Sequence, residues 1–223
     1  MAIIPAFQEA GRIKNTIEAV KPYVNRVIVV DDGSTDTTFI EAIQSDVTVL
    51  RHMVNRGQGA ALRTGTEAAL RLGAECIIHI DADGQHDPSF IPSIIEPLKK
   101  GEAEIVFGSR FLGITSANMP FMRRMVLKAA KTFNTLLMGI PRHVTDPQSG
   151  MRAMTAAAAR RLNFRQDRMA HCSEILRLTT RGAYKWCEIP VRIHYSSESL
   201  AKGQKSSDAL VIVWQLFLGI FAD

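Results

Sequence analysis

The sequence predicts an α/β fold, a single domain whose mostly parallel sheet is flanked by helices. Three observations lead there. Strand-like and helix-like segments alternate with short turns through residues 1–111. The segment Arg26–Val30 (RVIVV) is apolar without alternation, as a strand covered on both faces must be. Polar, Asp-rich clusters follow the apolar runs, where parallel sheets bind ligands beyond the carboxyl ends of their strands.

The elements follow in order. Ala2–Ile4 is the stub of a first strand, and Ile13, Ile17 and Val20 recur at helical spacing. After the strand Arg26–Val30 come a short helix near Asp36–Gln44 and a strand at Val47–Arg51. A longer helix spans Gln58–Leu72, with Gly73 suited to a left-handed C-cap. The strand Cys76–Ile80 runs directly into Asp81. Asp87-Pro88 opens another helix, which Pro97 should kink or end, and Glu104–Phe107 is the next strand. Helices are expected at Met119–Met138, Thr155–Leu162 and Ser173–Thr180, with a last strand at Trp186–Ile193. The domain is expected to span residues 1–198. Residues 199–223 form a basic linker and an apolar tail, whose segment Ala209–Ala222 is shorter than the roughly 20 residues a membrane span needs. That tail suits a membrane interface, a partner surface or a core helix.

Composition narrows the function. Apolar residues make up 46% of the 223-residue chain, enough for a substantial core and against disorder. Charge is divided: residues 1–111 carry 11 Lys+Arg against 15 Asp+Glu, and residues 112–223 carry 16 against 7. An acidic half suits cations and a basic half suits phosphates. Cys76, Cys172 and Cys187 lack metal-ligand spacing and read as reduced thiols, which points to a cytoplasmic location. Nucleic-acid binding is not expected, because aromatic and basic residues are not interleaved.

The segment Asp81-Ala82-Asp83-Gly84-Gln85-His86-Asp87 carries the most chemistry. Two carboxylates one residue apart at a strand end can both reach a hard divalent cation, leaving other positions to phosphate oxygens and water. An EF-hand reading fails, since His86 and Pro92 stand where that loop needs Gly and Glu. In Asp31-Asp32-Gly33-Ser34-Thr35-Asp36 a carboxylate could accept from a base or ribose, while Ser34 or Asp36 could cap the next helix. Asn55–Ala60 opens a helix whose amides could meet a phosphate, yet it matches neither the phosphate-loop nor the dinucleotide fingerprint.

Taken together, IIPAFQE (Ile3–Glu9), VVDDGSTD (Val29–Asp36), NRGQGAA (Asn55–Ala61), DADGQHDP (Asp81–Pro88), FGSRF (Phe107–Phe111), DPQSGMRA (Asp146–Ala153) and EIPVRI (Glu188–Ile193) resemble family 2 inverting glycosyltransferases of GT-A fold, closest to the polyprenyl-phosphate and dolichol-phosphate mannosyl- and glucosyltransferases. The resemblance implies that Pro5, Phe7 and Glu9 line a nucleotide pocket and that Val30 and Asp32 contact base and ribose. It implies an Mg²⁺ or Mn²⁺ site on Asp81 and Asp83, with Ala82 beside the donor sugar nucleotide. Arg110 would reach a phosphate of donor or acceptor, and Arg123 and Arg124 a lipid phosphate. Lys202-Gly203-Gln204-Lys205 departs from the family's G-x-S-K ending but keeps a Gly and two lysines for that phosphate. The Q-x-x-R-W signature of processive synthases is absent after Gln148.

The implied reaction moves a hexose from a GDP-mannose or UDP-glucose type donor to a polyprenyl phosphate, at the cytoplasmic membrane face. The displacement is in line at the anomeric carbon, with the metal and Arg110 stabilising the departing diphosphate. A phosphate acceptor needs no strong base. A hydroxyl acceptor, soluble or on a protein, would need one, with Asp146 first and Glu174 second. His86 reads as a turn residue, and a catalytically silent nucleotide-sugar-binding subunit, docked on a membrane-protein partner, is the remaining alternative.

Overall fold

The computed structural model describes residues 1–113 and 140–194. The helix expected at Met119–Met138 and the tail beyond residue 198 lie outside them, as do Arg123, Arg124, Lys202 and Lys205. Among the described residues no helix is long and apolar enough to cross a membrane.

Seven strands of the described residues form one sheet: β1 (Ala2–Ala6), β2 (Val27–Asp31), β3 (Thr48–Arg51), β4 (Cys76–His79), β5 (Ile105–Ser109), β6 (Arg152–Thr155) and β7 (Trp186–Pro190). Their order is β3-β2-β1-β4-β6-β5-β7. All pairings are parallel except those of β6, which runs antiparallel to β4 and to β5. The mostly parallel sheet matches expectation. The antiparallel β6 in its middle does not, since the sequence reading passed from a loop directly to a helix there.

Among the described residues six helices flank the sheet: α1 (Ile13–Val20), α2 (Thr38–Ile43), α3 (Gln58–Arg71), α4 (Ile91–Lys99), α5 (Ala156–Arg161) and α6 (His171–Arg181). Strand side chains alternate between two cores. Ile28 and Val30 of β2 pack toward α3 and α6 with Ala61, Leu62, Ile175 and Leu176. Val27 and Val29 pack toward α1 and α4 with Ile13, Ile17, Ile91 and Ile94. Helix α3 can lie close to the sheet because Gly65 faces β1, where a Cβ would come within 2.4 Å of Ile3 Cγ2.

Local ends differ from the sequence reading for physical reasons. Asp87 caps a short 3₁₀ turn, Pro88–Phe90, before α4 begins, its carboxylate accepting from the Ser89 amide at 3.0 Å. Pro97 neither ends nor shortens α4, which runs on to Lys99. Thr155 belongs to β6 and caps α5, its hydroxyl accepting from the Ala158 amide at 3.1 Å.

Candidate functional site

The carboxyl ends of β1, β2, β4 and β5 gather the polar turns at one rim of the sheet. The loop after β1 is held by the turn after β2. Amides of Gln8, Glu9, Ala10 and Gly11 donate to Ser34 Oγ, Thr38 Oγ1, Asp36 Oδ2 and Glu41 Oε2 at 2.8–3.3 Å. Ser34 and Asp36 thus serve as loop anchors. Pro5 is buried at the end of β1, Phe7 is 44% exposed, and Glu9 pairs with Arg12 at 2.5 Å.

Asp32 is turned inward. Its carboxylate accepts from the amides of Arg56 (3.0 Å) and Gly57 (2.6 Å) and from His52 Nδ1 (2.6 Å). These bonds fix the Asn55–Gly57 loop that opens α3. Gly33, at φ +74°, lets the same turn approach that loop, since a Cβ there would stand 2.7 Å from Val54 C. The Val30 side chain is fully buried in the core beside Gly65.

Asp81 and Asp83 flank Ala82, which is buried and whose carbonyl accepts from Thr16 Oγ1 on α1 at 2.9 Å. Asp81 Oδ1 accepts from Gln58 Nε2 at 2.7 Å and Oδ2 from His86 Nε2 at 3.1 Å. Burial pushes the Asp81 carboxyl up. The hydrogen bond and charge of His86, with the positive charges of Arg152 and His171, outweigh it and hold the group at about 2. Asp83 behaves oppositely: burial, then the charge of Asp81, raises it. Asp83 Oδ1 accepts from the Gln85 amide and Oδ2 from Gln85 Nε2. Asp83 also lines a cleft of about 400 Å³ with Arg12, Asn15, His86 and His194.

Behind Asp81 lies a buried polar cluster that the sequence reading missed. Arg152 stands opposite His79 in the β4–β6 register, on the same sheet face as Asp81. Its side chain is 1% exposed; Nη2 donates to Cys172 Sγ at 3.4 Å and lies 3.4 Å from His171 Nε2. Burial pushes the Cys172 thiol up, but the charges of His171 and Arg152 overcome it and bring it to about 6. His79 is held well below its ordinary value by burial, then by Arg152 and His171.

Arg110, just beyond β5, is bound to Asp146. Nε donates to Asp146 Oδ2 at 2.6 Å and Nη2 to Oδ1 at 2.7 Å, while the Arg110 amide adds a bond to Oδ2 at 3.1 Å. The Asp146 side chain is 1% exposed. Both oxygens are therefore engaged by a cation, and acting as a base would first require breaking a bidentate ion pair. Glu174 is also engaged, accepting from the amides of Arg165 and Gln166 at 2.7–3.0 Å. The structure thus brings together Asp81, Ala82 and Asp83, and separately Arg110 and Asp146. Gln58 and Glu188 were not anticipated, because each acts through a hydrogen bond to a distant segment.

Comparisons with known proteins agree with this arrangement. The family described as Glycosyl transferase family 2 matches residues 1–166. An uncharacterized protein of Methanocaldococcus jannaschii is 35% identical over 97% of this chain and 90% of its own length. A UDP-N-acetylglucosamine–dolichyl-phosphate N-acetylglucosaminyltransferase of Methanococcus voltae is 32% identical over 97% of this chain and 94% of its own. A dolichol-phosphate mannosyltransferase of Pyrococcus furiosus is 29% identical over 96% of this chain but 62% of its own. Among solved structures, glucosyl-3-phosphoglycerate synthase of Mycobacterium tuberculosis superposes with a TM-score of 0.78 at 22% identity, over 99% of this chain and 78% of that one. The same enzyme has been solved with Mn²⁺, UDP and glucosyl-3-phosphoglycerate. At that identity the likeness establishes the GT-A fold.

Proposed function

Because the chain belongs to glycosyltransferase family 2, we propose that it is a metal-dependent inverting enzyme that moves a sugar from a nucleotide sugar to a polyprenyl phosphate. The work would be done at the cytoplasmic membrane face. The observation that carries this reading is the Asp81–Asp83 pair at the end of β4, with Asp81 held ionised.

The residues present fit a divalent cation. Asp81 offers a charged oxygen donor, and Asp83 is raised by burial and then by the charge of Asp81 beside it. A cation between them would offset both the burial and the mutual repulsion of the two carboxylates, and oxygen-only donors favour Mg²⁺ or Mn²⁺. Among the described residues no group of three or more His, Cys, Asp or Glu side chains gathers as a metal cluster. The remaining ligands would then be diphosphate oxygens and water. When bound, the ion neutralises charge on the departing diphosphate.

The chain's own residues do the rest. Gln58 and His86 orient the two oxygens of Asp81. Pro5, Phe7, Glu9 and Asp32 form or support the nucleotide side of the site, with Ala82 beside the donor. Arg110, its plane fixed by Asp146, would reach a phosphate of donor or acceptor and stabilise charge there. Arg123, Arg124, Lys202 and Lys205 are the further cations that the family resemblance offers to an acceptor phosphate. An acceptor phosphate enters as an anion, so the engagement of Asp146 and Glu174 is no obstacle. The names of the Methanococcus voltae and Pyrococcus furiosus relatives support a dolichyl- or dolichol-phosphate acceptor.

The test uses the full chain with Mn²⁺ and labelled UDP-N-acetylglucosamine, UDP-glucose or GDP-mannose, each offered to dolichyl phosphate and to soluble hydroxyl acceptors. Label is expected in the organic-phase lipid, dependent on the cation. Transfer to a hydroxyl acceptor alone would replace the lipid reading, and no transfer to any acceptor would leave a sugar-nucleotide-binding subunit.

A further inference from the structure

The strand β7 carries a carboxylate that the reaction above does not use. Glu188 pairs in register with Phe107 of β5, three residues before Arg110. Its side chain reaches across to the loop that precedes β6. Oε1 accepts from the Thr145 amide (3.1 Å), from Thr145 Oγ1 (3.0 Å) and from the Asp146 amide (3.0 Å). Oε2 accepts again from the Thr145 amide at 2.9 Å. Thr145 Oγ1 lies 2.5 Å from Ser109 Oγ, which closes the loop onto the end of β5.

Such bonding is costly to waste. A carboxylate that accepts from two consecutive amides and a hydroxyl fixes the backbone at those residues, because charge-assisted bonds of this kind are short and directional. The residue so fixed is Asp146, whose two oxygens hold Arg110 by Nε and Nη2. Arg110 Nη2 also donates to Gln148 O in the same loop at 3.2 Å. The bonds from Asp146 and Gln148 to the Arg110 guanidinium thus come from a segment anchored by Glu188.

We propose that Glu188 is a positioning residue that fixes the Arg110 guanidinium through Thr145 and Asp146. It touches no substrate. It accounts for two sequence motifs together, EIPVRI and DPQSGMRA, as one relay from an edge strand to the phosphate-facing arginine. The functional weight of the relay rests on the reading of Arg110 as a phosphate contact.

The experiment follows Arg110 itself. In full-length protein carrying ¹⁵N-arginine, the Arg110 Nε–H signal is assigned by its loss in Arg110→Ala, and its exchange with water is measured. Glu188→Gln keeps the size of the side chain but replaces one accepting oxygen with a donor. It is expected to speed that exchange at least about tenfold while the thermal midpoint stays near wild type. Unchanged exchange in a folded Glu188→Gln protein overturns the proposal. Should that variant unfold, Thr145→Val, which removes only the hydroxyl, carries the same measurement with the same two readings. A kinetic cycle separates this from the function of Arg110. With the donor and lipid that turn over, Arg110→Ala should cost on the order of 100-fold in kcat/KM and Glu188→Gln on the order of tenfold. The double variant should match Arg110→Ala within about twofold. Losses that multiply show Glu188 acting elsewhere and overturn the relay. Full turnover in Arg110→Ala overturns the phosphate reading instead, whatever the exchange rate shows.

Discussion

A Cβ atom on Gly150 would stand 2.2 Å from Oδ2 of Asp81 and 3.0 Å from His86 Nε2. The two residues face each other across the sheet, one two-residue step beyond the His79–Arg152 pair of β4 and β6. The smallest side chain at 150 would therefore displace the carboxylate or its histidine partner. Gly150→Ala is expected to keep the fold with a loss of about 1–3 kcal/mol, the usual cost of overpacking. Turnover and Mn²⁺ affinity should fall by on the order of tenfold or more. Thermal unfolding and cation titration on the same preparation check both halves. Wild-type cation affinity in the variant would count against Asp81 as a ligand.

Cation binding should weaken in acid, and Asp83 should govern where. Burial and the Asp81 charge raise Asp83, so it is the first of the pair to take a proton as pH falls, while Asp81 stays ionised. Titration calorimetry with Mn²⁺ and a nucleoside diphosphate is expected to show affinity falling as pH drops toward the carboxylate range, with protons released on binding. In Asp83→Asn, affinity at neutral pH should drop and the acid limb should flatten. An acid limb that survives unchanged in this variant would assign it to another group.

Cys172 should behave unlike the other two cysteines. Its thiol is brought to about 6 from an ordinary 9.0, whereas burial raises both Cys76 and Cys187. Between those two values the unfolded chain holds a proton at this thiol that the native chain lacks. Its contribution to stability therefore rises with pH across the window, is fully present above about 9, and is lost as pH falls through about 6. The ultraviolet absorbance of thiolate should show one group ionising near pH 6, absent in Cys172→Ser. The difference in stability between wild type and that variant should widen from pH 6 upward.

The start of α3 gives a test of packing alone. A Cβ on Gly59 would lie 2.0 Å from Gln166 O and 2.9 Å from His171 Cβ. Backbone on the far side cannot yield as a flexible side chain would, so Gly59→Ala should destabilise by roughly 1–3 kcal/mol. Denaturant unfolding measures this. A neutral result would mean that the loop from 163 to 170 packs less closely on α3.

Much of this architecture was legible because the signals are local. Asp81-Ala82-Asp83 follows an apolar run directly, and Gly73 closes a helix as its left-handed conformation requires. Strand β6 was hidden by Arg152, a charged residue that opens a four-residue strand. Its buried guanidinium meets His171 and Cys172, some twenty residues later, and no local pattern carries that information. The motif of Asp32 points to base and ribose contact; that its oxygens also meet the amides of Arg56 and Gly57 is a distant pairing no local pattern announces. Glu188 was seen as part of a motif and not as a hydrogen-bond acceptor for Thr145. Distant partners are what the sequence pattern leaves out.

The antiparallel strand in the centre of the sheet also bears on how the chain is made. While the ribosome has yet to release residues 150–155, β4 and β5 have no partner between them, although β1 to β4 are already able to pair in order. A nascent chain in that interval holds two open strand edges facing one another, the condition in which misplaced pairing and aggregation begin. The Asp81 carboxylate beyond β4 acquires its back wall only when the last third of the polypeptide emerges, so competence for the proposed cation should arrive late in synthesis.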